Sequence, residues 1–340
     1  MSNDLALDLG SATTRVADAR GALLLEEPTV VAVDADSRRL LAFGRAAPAL
    51  ASATAGRVRL ERPVRHGQLV DIALAEELLV EVLRAAGVSR LAHPRVLACV
   101  QASATHVQRR ALDRALRRAG ARQVRFVEQP VACALGAGLA IEEPTGSMVV
   151  DVGAGTTEIG VLALGGLVTS ASLSVGADDV DDAVRLMLSR RYDLVVDPGV
   201  ATEVVRRIGA DGAPPATDWT DAPHLEVTGR RGADGAPCAV VVSPADIRPS
   251  IDGLVAPVVA AAVGCISGAP PDLANDLLGA GLHLSGGGSL LAGVAQRIAS
   301  ATGLPVHAAR EPSRTAVLGA ARCLATFDVL GASVTAAPRR

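Results

Sequence analysis

Two segments of the chain repeat one pattern of residue types, Asp8-Leu9-Gly10-Ser11-Ala12-Thr13-Thr14 and Asp151-Val152-Gly153-Ala154-Gly155-Thr156-Thr157. In each, an apolar run ends in an aspartate, a glycine follows two residues later, and two threonines close the element. That combination suits a nucleoside triphosphate. Glycine lets the backbone approach an anion, successive turn N–H groups point at phosphate oxygens, and hydroxyls add donors. Asp8 and Asp151 would repel phosphate directly, but a carboxylate holds Mg2+ through the waters that ion retains. Either segment alone also reads as an ordinary hairpin turn. The second copy, 151 − 8 = 143 residues on, favours duplicated lobes sharing one metal and phosphate site.

A third glycine cluster, Leu284-Ser285-Gly286-Gly287-Gly288-Ser289-Leu290, follows an apolar run and precedes a helical pattern. No Gly-Lys-Ser/Thr follows it, so it is not a P-loop, and it does not match the Gly-x-Gly-x-x-Gly dinucleotide fingerprint. Gly286, Gly287, Gly288 and Ser289 remain as an adenosine-binding turn at a helix start.

These turns need strands to carry them. Residues 5–9 and 15–18 read as strands around the first turn, and 29–33 as a third strand. Helical spacing follows over 73–86, then a strand at 95–100, a helix over 106–119 stopped by Gly120, a strand at 124–127 and a helix from Pro130. The opening pattern then returns. Strands are expected at 148–152, 158–164 and 168–173, with a hairpin turn at Gly165-Gly166. Residues 209–237, rich in Gly, Pro, Asp and Ala, read as a peripheral, mobile insertion with one strand at 224–228. Helices over 244–267, 290–302 and 315–327 and strands at 281–285 and 305–308 complete the expected order.

Composition narrows the functions. At 340 residues and 49% hydrophobic content the chain can bury two lobes, and its net charge of −3 with one Trp and one Tyr gives nucleic acid neither a basic field nor a stacking platform. All 33 basic residues are Arg. The arginines at 109, 110, 114, 117 and 118 read as a solvated helix face. The five cysteines are scattered without a Cys-x-x-Cys pair, which excludes a zinc knuckle or disulfide framework and suits a reducing cytoplasm. The apolar stretch 254–266 is too short for the ~30 Å hydrocarbon core of a bilayer and is expected to be a buried helix.

The order of these motifs resembles the actin, Hsp70 and sugar-kinase superfamily, and within it the MreB-type bacterial actins. The resemblance is densest in residues 120–130, 136–139, 142–158, 164–170, 270–273 and 284–291. It implies an α/β, actin-like, two-lobed ATPase fold with the nucleotide cleft between lobes. Residues 1–140 with 310–340 would form lobe I, including a small subdomain at about 29–70, and residues 141–309 lobe II, including one at about 179–243. The resemblance further implies ATP and Mg2+ as cofactors and self-assembly into filaments that determine rod shape, in the cytoplasm at the inner face of the membrane, with membrane-associated cell-wall synthesis proteins as partners. Asp8 and Asp151 would serve the metal, and Gly10, Ser11, Ala12, Thr13 and Thr14 with Gly153, Ala154, Gly155, Thr156 and Thr157 the phosphates. Gly286, Gly287, Gly288 and Ser289 would face adenosine, and Glu203 and Arg206 stand where the family contacts ribose and adenine with Glu and Lys.

Three departures qualify this. Glu128-Gln129-Pro130 replaces the family's Glu-Glu-Pro, so the catalytic group implied beside Glu128 and Asp151 is the amide of Gln129. An amide orients a water but cannot accept its proton, so slow ATP hydrolysis is expected, with a nonpolymerising ATP-binding adaptor or pseudo-ATPase as the alternative. Ala154 stands at a family glycine and must avoid positive φ. No amphipathic helix precedes the first strand, and the connector around Leu91 is flanked by Arg90 and His93, so direct membrane binding is not expected.

Overall fold

A computed structural model of the chain describes residues 4–54, 56–88, 93–209, 224–325 and 334–336. Along the chain run β1 (Leu5–Leu9), β2 (Thr13–Asp18), β3 (Leu23–Pro28), β4 (Val31–Asp34), β5 (Leu40–Phe43), α1 (Ala46–Ala53), β6 (Val58–Glu61), β7 (Val64–Arg65) and β8 (Gln68–Leu69). Then come α2 (Ile72–Ala85), β9 (Arg95–Val100), α3 (His106–Arg118), β10 (Gln123–Glu128) and α4 (Gln129–Ala137). The second half holds β11 (Ser147–Val152), β12 (Thr157–Ala163), β13 (Gly166–Leu173), α5 (Ala177–Tyr192), β14 (Leu194–Val195), α6 (Pro198–Gly209), β15 (Leu225–Arg231) and β16 (Pro237–Val242). It closes with α7 (Pro244–Gly268), α8 (Pro271–Ala280), β17 (Leu282–Ser285), α9 (Val294–Thr302), β18 (Val306–Ala308), α10 (Thr315–Ala325) and β19 (Val334–Ala336).

The repeat seen in the sequence is a repeat of topology. The first sheet has the order β19-β10-β9-β1-β2-β3 and the second β13-β12-β11-β17-β18. In each, a meander of antiparallel strands (β1-β2-β3, β11-β12-β13) is extended by parallel strands, β9 then β10 in one and β17 then β18 in the other. The cross-strand register also repeats, with Asp8 opposite Arg15 and Asp151 opposite Glu158. Both turns thus emerge at matching ends of matching sheets.

Helices α4 and α10 pack on each other beside both sheets, in a core of small residues that includes Ala132, Cys133, Ala134, Val317, Ala320, Ala321 and Cys323, with Val149 and Leu162 from the second sheet. The approach is so close that a Cβ on Gly319 would lie 1.7 Å from the carbonyl oxygen of Ala132. Larger aliphatic cores flank this seam. One gathers α2 and α3 on the first sheet around Phe126, and the other gathers α5, α6, α7 and α9 on the second.

Several expectations shift. The strand expected at 29–33 is β4, which joins a separate small sheet with β5 and β6, and the third strand of the first meander is β3, a strand not expected, whose ladder ends at Pro28. The second hairpin turns at Leu164-Gly165, with φ of 51° and 77°, one residue earlier than expected. After Ser285 the chain makes a 3-10 turn (Gly287–Leu290), so α9 starts at Val294 and not at 290. Residues 210–223 lie outside the described residues, as does Leu91, but the rest of the 209–237 stretch is not a bare spacer. It leads into β15, which pairs with β14 on one side and β16 on the other in a sheet that buries Val227 and Val242. Helix α7 runs 25 residues with a mean hydropathy of 1.8 over its most apolar window, so by length and composition it could cross a membrane. The measure of 254–266 was short because the helix continues through Pro249 and Pro257. Its Ile247, Ile251, Leu254, Val255, Val258 and Ala262 are buried in the second core, which is how it is used here.

Candidate functional site

The two turns face each other across a cleft whose cavity measures about 440 Å³. Its wall includes Asp8, Gly10, Ser11, Ala12 and Thr13 from the first copy, Asp151, Gly153, Ala154, Gly155 and Thr156 from the second, and Gly286, Gly287 and Gly288 from the third cluster. The copies fold alike, for Gly10 N–H donates to Thr13 O at 3.1 Å and Gly153 N–H to Thr156 O at 2.8 Å. They also touch: a Cβ on Gly155 would meet Ser11 Oγ at 2.8 Å and the backbone nitrogen of His66 at 3.0 Å. Ala154 is not among the residues with positive φ, so its replacement of glycine is accommodated.

The alternation of a strand splits each threonine pair. Thr13 and Thr156 line the cleft, while Thr14 and Thr157 point into the protein. Thr14 Oγ1 lies 2.8 Å from Thr29 Oγ1, and Thr157 Oγ1 donates to Val175 O at 2.9 Å. Ser289 likewise turns inward, donating to Gly286 O at 2.6 Å. Glu128 pairs with Arg109 at 3.2 Å. Glu203 is bound by Arg206 at 2.9 Å and Arg207 at 2.6 Å, and neither Glu203 nor Arg206 lines the cavity, although the adjacent Thr202 does.

Two buried carboxylates dominate the floor. Burial raises Asp8 to about 6, with Arg15 opposing the rise and the charge of Asp151 adding to it. Asp151 is raised as well, chiefly by burial, against hydrogen bonds from Ser285, Gln129 and Cys133. Ser285 Oγ donates to Asp151 Oδ1 at 2.7 Å and Gln129 Nε2 to Oδ2 at 3.0 Å. Among the described residues no cluster of three metal-ligating side chains occurs. Two desolvated carboxylates, with the charge of Asp151 raising the pKa of Asp8, nevertheless fit a hydrated divalent cation, which relieves that repulsion without direct ligation by many side chains.

The structure adds residues that motif spacing did not single out. The β7–β8 hairpin turns at His66 and Gly67, with φ of 46° and 68°, and its tip closes on both phosphate turns. His66 Nδ1 lies 2.9 Å from Gly155 O, and Gly67 N–H donates to Ser11 Oγ at 3.1 Å. Arg62 reaches across to Asp178 at the start of α5 at 2.8 Å. Asp181, raised to about 6 mainly by burial, accepts from Thr202 Oγ1 at 2.6 Å on the same wall. Arg15 also lines the cleft. A charge in an otherwise half-buried strand, one residue past the threonine pair, was the available signal.

Duplicated sheets of one strand order, joined along α4 and α10 and opening a cleft between two like turns, define a protein of the actin-like class. The crystal structure of MreB5 of Spiroplasma citri bound to ADP superposes with a TM-score of 0.86 at 25% identity, over 95% of this chain and 96% of that one. A MamK double helical filament shares the fold at a TM-score of 0.76 and 21% identity, over 94% and 98% of the two chains. The model of the MreB/Mbl protein family matches residues 2–332. Cell shape-determining protein MreB of Escherichia coli (strain K12) is 33% identical over 336 residues, 97% of this chain and 95% of the relative. Cell shape-determining protein Mbl of Bacillus subtilis (strain 168) is 31% identical over 332 residues, 97% and 98%. The chain belongs to the MreB/Mbl family.

Proposed function

We propose that this chain is an ATP-binding actin-like cytoskeletal protein that forms nucleotide-dependent filaments serving cell shape, with slow ATP hydrolysis. The observation that carries the reading is the opposition of the two phosphate turns, close enough that a Cβ on Gly155 would lie 2.8 Å from Ser11 Oγ. Relatives named for cell shape, a neighbour bound to ADP and another bound to AMPPNP support it.

In this reading the main-chain N–H groups of residues 10–13 and 153–156 cradle the phosphates, and the glycine turn at 286–288 borders the adenosine. Asp8 and Asp151 hold hydrated Mg2+, which supplies charge neutralisation on the phosphates when bound. Glu203 and Arg206 reach the ribose and adenine by exchanging their mutual ion pair, which is exposed and weak, for the ligand. Gln129, with its nitrogen donated to Asp151, keeps its amide oxygen as the acceptor that orients an attacking water. Lobe I comprises residues 1–140 and 310–340 and lobe II residues 141–309. The filament works in the cytoplasm at the inner face of the membrane beside cell-wall synthesis proteins.

Sedimentation of the purified chain with ATP and Mg2+ tests the proposal. A filament former pellets above a critical concentration and releases phosphate slowly. ATP binding without a pellet at any concentration replaces it with the nonpolymerising adaptor.

A further inference from the structure

The two copies of the phosphate turn differ most sharply at the position that their shared register makes equivalent. Glu158, opposite Asp151, does not line the cavity. Its Oε2 accepts from Ala102 N–H at 3.0 Å and Ser172 Oγ at 2.7 Å. Arg15, opposite Asp8, lines the cleft with its side chain only 13% exposed. Its Nε donates to Glu26 Oε1 at 2.8 Å. Glu26 is gripped from the other side by Arg314 Nη2 at 2.6 Å, and Arg314 and Arg15 together hold its carboxyl down at about 2, so it is a fixed anion.

This anchors one edge of the Arg15 guanidinium and leaves the other to the cleft. On that side Nη1 stands 3.9 Å from Asp8 Oδ2, too far for a hydrogen bond. Arg109, the other arginine of the cleft wall, is engaged by Glu128 and by the carbonyl of Ala104. Arg15 is therefore a half-buried cation, rigidly held, with donors unclaimed by protein, beside the aspartate that begins the first phosphate turn. A planar guanidinium so placed matches two phosphate oxygens at once.

We propose that Arg15 is a phosphate-contacting residue of this chain. Resting on the nucleotide reading above, it neutralises part of the polyphosphate charge that the cation at Asp8 and Asp151 would otherwise carry alone, so ATP binding here persists when Mg2+ is removed. The neighbouring charges agree with this: Asp8, Asp151 and Glu26 are all acidic, and Arg15 is the cation placed among them.

The test measures ATP, ADP and adenosine affinity of the full chain by calorimetry, in Mg2+ and in EDTA, for wild type, Arg15→Met and Arg15→Gln. Methionine keeps the apolar stem, and glutamine keeps a donor for Glu26, so one substitute preserves packing and the other the local hydrogen bond. In EDTA the wild type retains ATP binding, and both variants lose about tenfold or more in ATP affinity, as expected for one charge-assisted contact, with adenosine affinity unchanged. ATP affinity within twofold of wild type in either folded variant, or an equal loss for adenosine, overturns the proposal. Failure of the wild type to bind any nucleotide in either buffer is a different result, and it overturns the nucleotide site itself.

Discussion

Gln129 donates its amide nitrogen to Asp151 Oδ2 at 3.0 Å, joining the first residue of α4 to the aspartate of the second phosphate turn. A glutamate at 129 could not make this bond, and its carboxylate would face a buried one whose pKa is already raised. The substitution that removes a general base therefore also removes a charge clash. Gln129→Glu is expected to destabilise the nucleotide-free chain while accelerating phosphate release from bound Mg2+·ATP by about a hundredfold, the lower end for a positioned base. Gln129→Ala should slow any release. Single-turnover phosphate release alongside thermal unfolding without nucleotide reads both effects, and equal release rates for all three chains would remove Gln129 from the chemistry.

Asp8 gives the nucleotide-free protein a pH dependence of definite sign. Its carboxyl titrates at about 6 when folded, raised from 3.8 by burial. Between those values the folded state holds a proton that the unfolded chain has released, so stability is fully present below about 4 and falls as pH rises through about 6. The interval corresponds to about 3 kcal/mol. Glu158, raised to about 7, and Asp181, raised to about 6, slope the same way, burial being the main cause in both. The comparison is thus between wild type and Asp8→Asn, unfolded thermally from pH 4.5 to 7.5. The variant should show a shallower decline, and Mg2+·ATP should flatten the wild-type curve. A curve for Asp8→Asn parallel to that of wild type would contradict this account.

The seam between α4 and α10 makes a sharper mechanical prediction. Gly319→Ala places a Cβ 1.7 Å from the Ala132 carbonyl oxygen, and a backbone atom of a packed helix cannot step aside cheaply. A loss of about 3 kcal/mol or more is expected by urea unfolding, at the severe end for a single methyl. Gly264→Ala in α7 is the control. A Cβ there meets nothing within 4 Å, and the change should stabilise by about 0.5–1 kcal/mol through helix propensity.

How far these features were legible in the sequence follows from their range. The turns and the meanders around them were legible because Asp, Gly and Thr mark a strand end and a tight turn within seven residues. The break between β3 and β4 was not, since Val30, Val31 and Val33 continue the apolar pattern past Pro28 and only the small sheet with β5 and β6 draws β4 away. Among the site residues, the first threonine of each pair lines the cleft and the second does not, a distinction set by strand alternation that composition cannot carry. The inward turn of Ser289 and the ion pairs of Glu203 are properties of neighbours. Arg15 was within reach of pattern reading, because a two-strand register of seven residues places it opposite Asp8 as it places Glu158 opposite Asp151. What no local pattern could show was Arg314, nearly three hundred residues away, fixing Glu26 so that Arg15 faces the cleft.

Closure of the cleft can be tested at one atom. The tip of the β7–β8 hairpin reaches both phosphate turns, through His66 to Gly155 O and through Gly67 to Ser11 Oγ, and Gly155 sits where all three meet. Gly155→Ala adds a Cβ 2.8 Å from Ser11 Oγ and 3.0 Å from the His66 nitrogen. The serine hydroxyl can rotate away, but the hairpin backbone must retreat, and its hydrogen bonds to the two turns lengthen together. Each such bond is worth about 1 kcal/mol, so losing both weakens closed-state binding of ATP by roughly tenfold or more. Because β7 and β8 form a two-stranded sheet of their own and Gly155 follows β11 of another sheet, the loss should appear for ATP and ADP alike. Unchanged ATP affinity in Gly155→Ala would mean that the hairpin contacts are incidental to nucleotide binding.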